Sequence, residues 1–211
     1  MADKVTTART REVSDKEADD FRSTLAHAVS VTENEGCPYL LAGSMASNVW
    51  GRPASIGDID LVIRPDDAKR LLHTFETAGY ETEEVEPQWL YKAKSNGVTV
   101  DLIFEMGGDL YLDDEMIEKG PMKEVEGTRL RLIGPEDYVV SQAMSTKEDT
   151  SDYWYNALAV LGRTDLDWDY LIRRASHGPR RVLSLLVYAQ SEDLTVSNDA
   201  IRRLYEFLYE K

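Results

Sequence analysis

Aspartates interrupt two strongly apolar segments of this chain, and this pattern restricts the fold more than any other feature of the sequence. Asp58 and Asp60 lie in the segment "DIDLVI", and Asp101 lies in the segment "VTVDLIFE". Both segments have the composition of buried β-strands, in which successive side chains point to opposite faces. Asp58 and Asp60 therefore share one face of the first strand. We expect the two strands to be neighbours whose acidic faces bring three carboxylates to one point.

Three carboxylates so close together raise one another's pKa unless a positive charge lies between them. A divalent cation supplies that charge, and ligands that are all oxygen suit Mg²⁺. Three acids can also hold two metal ions for phosphoryl chemistry. The alternative interpretation is a strand end exposed to water, because Asp-x-Asp alone is a common sequence. Asp101, in a second apolar strand, favours the metal site, whereas Glu105, further along the same face, is assigned no role.

A pair of small residues, Gly43-Ser44, stands between the predicted strand "PYLLAG" and the predicted short helix "SMASNVWG". Glycine allows a phosphate to approach the backbone closely, and the N-terminus of a helix attracts anions. The Ser44 hydroxyl can add a hydrogen-bond donor. In the simpler alternative, Gly43 only makes the turn and Ser44 is the N-cap residue of the helix. Taken by itself, this pair leaves both interpretations open.

The other patterns predict an α/β part followed by a helical part. Asn96-Gly97 indicates a tight hairpin between two strands, and a second short hairpin is expected around Gly127. In the C-terminal segments, apolar residues recur at helical spacing. We therefore predict a sheet-containing core in residues 1–133 and a helical region in residues 134–211.

Charge and composition narrow the class of protein further. The chain of 211 residues has a formal charge of −15 and one cysteine. Acids outnumber bases 26 to 13 in residues 1–128, but only 13 to 11 in residues 129–211. This charge disfavours broad contact with RNA and leaves room for a local basic site in the C-terminal part. We find neither an apolar leader nor a run of about 20 apolar residues, and we expect a cytoplasmic protein without a membrane segment.

One lysine and one basic segment are further candidates for contacts with anions. If Asn96-Gly97 is a two-residue loop, Lys92 lies directly opposite Asp101 on the same face of the hairpin. Lys92 can then neutralise Asp101 or contact a phosphate, and the alternative is a solvated lysine on an edge strand. The segment "RRASHGPRR", residues 173–181, can contact an acceptor or a triphosphate, or it can be two solvated helix ends that meet at a turn.

The order Gly43-Ser44, Asp58-x-Asp60 and a lone Asp101 resembles that of the nucleotidyltransferase superfamily that includes DNA polymerase beta. The similarity is greatest to abortive-infection-type toxins and to the small lincosamide and aminoglycoside nucleotidyltransferases. It implies an α+β fold, in which helices flank a small mixed sheet and a C-terminal helical bundle follows. It also implies that the three aspartates bind Mg²⁺, that Asp101 can act as the base, and that Gly43 and Ser44 hold the triphosphate.

The reaction implied by the resemblance is transfer of a nucleoside monophosphate from an NTP such as ATP to a hydroxyl-bearing acceptor, with release of pyrophosphate. The acceptor remains open between tRNA, a protein and a small molecule such as an antibiotic, and a toxin would also have a partner protein. Relatives often carry an arginine and a threonine where this chain has Ala54 and Ile56, with Arg52 and Ser55 nearby. These differences motivate the alternative of a non-catalytic nucleotide-binding, antitoxin or scaffold module of the same fold.

Overall fold

The computed structural model describes residues 14–54, 57–147 and 151–210. Within these ranges the strands form one five-stranded sheet and one separate hairpin. The strands are β1 (Tyr39–Leu41), β2 (Asp58–Ile63), β3 (Glu81–Glu86), β4 (Leu90–Ser95), β5 (Val98–Ile103), β6 (Met122–Val125) and β7 (Thr128–Arg131). The large sheet has the order β1-β2-β5-β4-β3, and β6 pairs with β7.

The central pair of the large sheet, β2 and β5, is parallel, and every other pair in it is antiparallel. Parallel neighbours need a long crossover connection. Here the chain between β2 and β5 contains a helix and the strands β3 and β4. The mixed sheet therefore follows from the connectivity, and it places the two aspartate-bearing strands side by side, as predicted.

Both predicted hairpins are present, and their turns have the expected backbone conformation. Asn96 and Gly97 have φ angles of 51° and 76°, and Glu126 and Gly127 have φ angles of 48° and 78°. Positive φ at both central residues is the requirement of a two-residue type I′ turn, whose twist matches that of the flanking strands. The first turn sets the register of β4 against β5, which matters for the site described below.

Helices make up most of the remaining described chain. They are α1 (Asp15–Asn34), α2 (Gly43–Trp50), α3 (Pro65–Thr77), α4 (Asp114–Lys119), α5 (Pro135–Ser145), α6 (Asp152–Leu161), α7 (Trp168–Arg174), α8 (Pro179–Ser191) and α9 (Asn198–Tyr209), with a 3₁₀ helix at Ala175–His177. Helix α1 begins at a capping box made by Ser14 and Glu17, which satisfies two of its otherwise unpaired N–H groups. In the described part of the chain, no helix is both long and apolar enough to cross a membrane.

The hydrophobic core lies between the sheet and the helices. Helices α1 and α3 contact the sheet, and the side chains of Ile59, Leu61 and Leu102 are completely buried. These residues alternate along the strands with the aspartates, so the acidic face of the sheet is opposite to this apolar face. The α+β architecture, with helices flanking a mixed sheet and further helices after it, confirms the predicted fold class.

Two elements, β3 and α4, do not follow from the sequence patterns. β3 reads "ETEEVE", and most of its residues are exposed. Glutamate has a low preference for strands, so this segment forms an edge strand because β4 offers it a hydrogen-bonding partner. Helix α4 has only six residues, and the Asp113 side chain caps its N-terminus by accepting from the Met116 N–H at 2.8 Å.

The C-terminal helices contact the sheet-containing core through specific hydrogen bonds. Within the core, Trp50, at the end of α2, donates its indole N–H to the Ile133 carbonyl at 2.8 Å. The Thr164 hydroxyl donates to the Trp50 carbonyl at 2.8 Å, and Arg163 donates to the Gly51 carbonyl at 2.5 Å. The boundary at residue 133 stays a prediction.

Candidate active site

Strands β2 and β5 bring the three predicted aspartates to one place. In the parallel register, Asp60 lies directly beside Asp101, and Asp58 lies beside Thr99, two positions earlier on the same face. One carboxylate oxygen from each aspartate can be chosen so that the three lie within 4.8 Å of one another. Asp101 is 8% exposed, and the other two aspartates are half-buried. Asp101 is therefore buried, and Asp58 and Asp60 keep partial contact with water.

Burial and mutual repulsion disfavour the state in which all three aspartates are negatively charged. Burial, followed by the neighbouring charges of Asp58 and Asp101, raises the pKa of Asp60 to about 7 against the opposing effect of Lys92. The pKa of Asp58 is also raised, first by burial and then by the charge of Asp101. A shared cation relieves both effects. The cluster therefore has oxygen ligands suited to a divalent ion and negative charges that such an ion would neutralise.

Lys92 lies directly opposite Asp101 in the antiparallel pair of β4 and β5, as the two-residue turn predicts. Its Nζ atom donates to both carboxylate oxygens of Asp101, at 2.7 Å to Oδ1 and 2.9 Å to Oδ2. The Lys92 side chain is 34% exposed, so it reaches from solvent into the site. The alternative of a merely solvated lysine is wrong.

Gly43 lies where a side chain would collide with Asp60. Its φ angle is +59°, in the left-handed region that favours glycine. A Cβ atom on Gly43 would lie 1.8 Å from Asp60 Oδ2 and 2.5 Å from its Cγ atom. The Ala42 N–H also donates to the Asp60 carbonyl at 2.9 Å. Glycine is therefore required here because the start of α2 packs directly against the acidic cluster.

Ser44 is the second residue of α2, and the N-cap position belongs to Ala42, which makes no side-chain cap. The alternative in which Ser44 is the N-cap residue is therefore wrong. The Ser44 Oγ atom is buried and has no hydrogen-bond partner in the described part of the chain. A buried hydroxyl without a partner loses free energy relative to water. Ser44 therefore has an unused donor at the start of a helix that contacts the acidic cluster.

The segment before β2 is only partly described. The Ala54 N–H donates to Asn48 Oδ1 at 2.5 Å, and the Ser47 hydroxyl donates to the Arg52 carbonyl at 3.1 Å. These contacts attach the segment to α2. Ser55 and Ile56, which were compared with relatives above, lie outside the described residues.

Tyr138, on α5, is close to the site although no sequence pattern singles it out. It is 1% exposed, and burial raises its pKa to about 12. The Ser47 hydroxyl opposes this shift by a hydrogen bond, whereas the negative charge of Asp60 adds to it. In the sequence, Tyr138 is indistinguishable from an ordinary aromatic core residue. Tyr138 is therefore a residue of the helical region on which the charge of Asp60 acts.

A second buried polar network, also missed by sequence reasoning, joins α5 to α7. Asp137 is completely buried, accepts from the Tyr170 hydroxyl at 2.6 Å and lies 2.7 Å from Arg174 Nε. Burial raises the pKa of Asp137 to about 6, against the opposing effects of Tyr170 and Arg174. Arg174 also pairs with Asp113, at the cap of α4. This network explains why an acid and an arginine are tolerated inside the helical region.

Most of the predicted basic segment 173–181 is engaged within the protein. Arg173 pairs with Glu115 at 2.7 Å, and Arg174 belongs to the buried network. Arg181 donates to the Thr146 carbonyl at 2.5 Å. These contacts stabilise the helical region, and a contact of Arg180 with acceptor or triphosphate stays a prediction.

Comparison with known proteins identifies a family for this chain. A family model described as "Nucleotidyl transferase of unknown function (DUF2204)" matches residues 21–211. Comparison with curated proteins gives no significant match. Among solved structures, ANT(2'')-Ia in complex with adenylyl-2''-tobramycin is 15% identical, with 76% of this chain and 98% of that chain covered and a TM-score of 0.47. An antigenic nucleotidyltransferase-like protein from Paracoccidioides brasiliensis is 13% identical, with 87% and 96% covered and a TM-score of 0.49.

Proposed function

The chain belongs to this family of nucleotidyl transferases, and we propose that it transfers a nucleoside monophosphate from an NTP to a hydroxyl group of an acceptor. The observation that carries the proposal is the convergence of Asp58, Asp60 and Asp101 within 4.8 Å on neighbouring strands. Family membership gives the class of reaction. The carboxylate cluster is the proposed place on the molecule for that reaction.

The three aspartates fit a divalent metal ion. Each presents an oxygen to a common point, and the pKa of Asp60 is raised to about 7, first by burial and then by the negative charges of Asp58 and Asp101. Oxygen-only ligands favour Mg²⁺, and three carboxylates suffice for a site of two ions. When bound, Mg²⁺ neutralises charge on the phosphates and favours ionisation of the attacking hydroxyl.

The start of α2 is the proposed site of the triphosphate. The unpaired N–H groups of a helix N-terminus attract phosphate, and Gly43 has no side chain to block the approach. The buried Ser44 hydroxyl, which has no partner in the described residues, gains one when it donates to a phosphate oxygen. Lys92 lies on the other side of the cluster and supplies a positive charge.

The transfer itself is an in-line displacement. An acceptor hydroxyl forms a bond to the α-phosphorus, the bond between the α-phosphorus and the bridging oxygen breaks, and pyrophosphate leaves. The proton of the hydroxyl passes to a carboxylate oxygen of Asp101, which has the role of general base. Most of the acceleration comes from positioning the two reactants and from neutralising the charge of the phosphates.

For the acceptor, the charge of the chain is informative. A formal charge of −15 disfavours an extended contact with RNA, because phosphate backbones are repelled. We therefore propose that the acceptor is recognised over a small area, as a protein hydroxyl, a small molecule or the end of an RNA would be. Toxicity on expression that requires Asp60 would identify a toxin-type acceptor, and its absence would favour a small molecule.

The proposal is tested with each labelled NTP, Mg²⁺ and a panel of acceptors comprising tRNA, proteins and hydroxyl-bearing antibiotics. We expect a labelled product from the wild type and at least about a 100-fold loss in Asp60→Asn. The matched control is Asp66→Asn, which makes the same substitution at an exposed position at the start of α3. Product formation by Asp60→Asn at the rate of Asp66→Asn contradicts the proposed site. Mg²⁺-dependent nucleotide binding without transfer to any acceptor favours the non-catalytic module instead.

A further inference from the structure

A row of charged residues crosses the sheet at a single register. Glu83 on β3 lies opposite Lys92 on β4, Lys92 lies opposite Asp101 on β5, and Asp101 lies beside Asp60 on β2. Residues that are directly opposite in a sheet share a face and have Cβ atoms about 4.5–5.5 Å apart. Lys92 is therefore flanked by a carboxylate on each side. One of these belongs to the acidic cluster, and the other, Glu83, is exposed.

Lys92 contacts Asp101 and leaves its oxygens little capacity for another cation. The Nζ atom lies 2.7 Å and 2.9 Å from the two oxygens of Asp101. A Mg²⁺ ion binds a carboxylate oxygen at about 2.0–2.1 Å. An ammonium group and a doubly charged ion on the same carboxylate repel each other strongly at such short separations. The same Asp101 oxygens therefore serve Lys92 or the metal ion, but not both at full strength.

We propose that the Lys92 ammonium group is bound to Asp101 until a divalent ion displaces it. The displaced ammonium group then binds the triphosphate of the nucleotide. This inference rests on the proposed function. Glu83 holds the displaced ammonium group while no nucleotide is present, because it lies one strand away on the same face. Lys92 is thus a positioning residue that couples binding of the metal ion to binding of the nucleotide. Metal binding frees its ammonium group, which the phosphates then contact.

This exchange, in which a divalent ion replaces Lys92 at Asp101, predicts that one substitution strengthens metal binding and weakens nucleotide binding. Lys92→Met removes the competing charge, so Mn²⁺ should bind more tightly in the absence of nucleotide. It also removes the phosphate ligand, so the complex of Mg²⁺ with a nonhydrolysable NTP should bind more weakly. A lysine that only stabilises the fold produces neither of these ligand-specific changes, and a lysine that only attracts anions produces the second change alone.

Lys94→Met is the matched control. Lys94 lies on the same strand and the same face, opposite Thr99, and it is exposed. Its replacement alters the net charge by the same amount, two positions further along the same strand. We expect Mn²⁺ to bind Lys92→Met at least about tenfold more tightly than it binds Lys94→Met, as measured by calorimetry and Mn²⁺ electron paramagnetic resonance. Lys92→Arg retains the competing charge and should remain within about threefold of the wild type.

The outcomes separate the exchange from the proposed function. Equal Mn²⁺ affinities of Lys92→Met and Lys94→Met overturn the exchange, while metal binding by the wild type leaves the function standing. Failure of the wild type to bind Mn²⁺ with or without nucleotide overturns both. If Lys92→Met does not fold in EDTA, recovery of its native circular dichroism in Mn²⁺ supports the exchange. Failure to recover in Mn²⁺, with Lys94→Met folded, shows a structural role and overturns it.

Discussion

The Gly43→Ala variant should lose metal binding while it keeps most of its stability. A Cβ atom on Gly43 would lie 1.8 Å from Asp60 Oδ2 and 2.5 Å from its Cγ atom, so the Asp60 side chain must rotate away. The clashing atoms are the end of a side chain, and the backbone need not move far. We therefore expect the fold to survive while the Asp60 carboxylate leaves its position beside the other two aspartates.

The two effects differ in magnitude. The left-handed backbone at Gly43, with φ of +59°, costs alanine about 1–2 kcal/mol of unfolding free energy. For a domain of this size, each kcal/mol lowers the Tm by roughly 2–4 °C, so the backbone alone accounts for a loss of about 2–8 °C. Misplacing a catalytic group by about 1 Å can reduce the rate about 100-fold. We expect a loss of at least this size in kcat/KM.

Gly97→Ala isolates the backbone effect. Gly97 also has a positive φ, +76°, and a Cβ atom there would meet no other atom within 4 Å. Thermal melts of both variants in EDTA and in Mn²⁺, together with transfer assays, make the comparison. We expect Gly97→Ala to keep both the Mn²⁺-induced rise in Tm and the activity, and Gly43→Ala to lose both. Wild-type Mn²⁺ stabilisation and activity in Gly43→Ala would refute our explanation of this glycine.

Three further predictions concern pH, the buried network and the nucleotide. The pKa of Asp60 is about 7 in the folded metal-free protein, against 3.8 for a free side chain, so the folded state retains a proton that the unfolded chain releases. Stability in EDTA should therefore fall as the pH rises from about 4 to about 7, and melts should show a shallower fall in Asp60→Asn. Asp137, whose pKa is about 6, contributes equally to both proteins. Tyr170→Phe removes the 2.6 Å hydrogen bond to Asp137 and should lower the free energy of unfolding in urea by about 1.5–3 kcal/mol. The control, Tyr205→Phe at an exposed position, should not lower it. Ser44→Ala should leave the Tm unchanged, because the hydroxyl has no partner in the described residues, and should weaken binding of a nonhydrolysable NTP about tenfold by calorimetry.

Local patterns were sufficient to predict much of the sheet and part of the site. Asn96-Gly97 allows both central φ angles to be positive, and the resulting two-residue turn determines that Lys92 pairs with Asp101. Alternation along each strand determines which face carries the acids. The nucleotidyltransferase family, predicted from the order of the motifs, is confirmed by the family match over residues 21–211. The catalytic and binding roles of the site residues stay predictions.

Longer-range contacts were not predictable from local patterns. Edge strand β3 forms although its glutamates disfavour strands, because β4 offers an open hydrogen-bonding edge. The pairing of Asp137 with Arg174 joins residues on two helices. Such contacts depend on how elements pack, and neither residue differs in the sequence from an ordinary surface charge.

The sequence by itself determined the two aspartate-bearing strands, the hairpin turns, the acidic faces and the class of reaction, because each depends on residues close together in the chain or on an ordered motif. Only the tertiary structure decided why residue 43 is glycine. The answer is the 1.8 Å approach of its missing Cβ atom to Asp60. The tertiary structure also left the Ser44 hydroxyl buried without a partner in the described residues and brought Tyr138 under the influence of the Asp60 charge. These contacts arise when separate elements are packed together, and their distances are set by the whole fold.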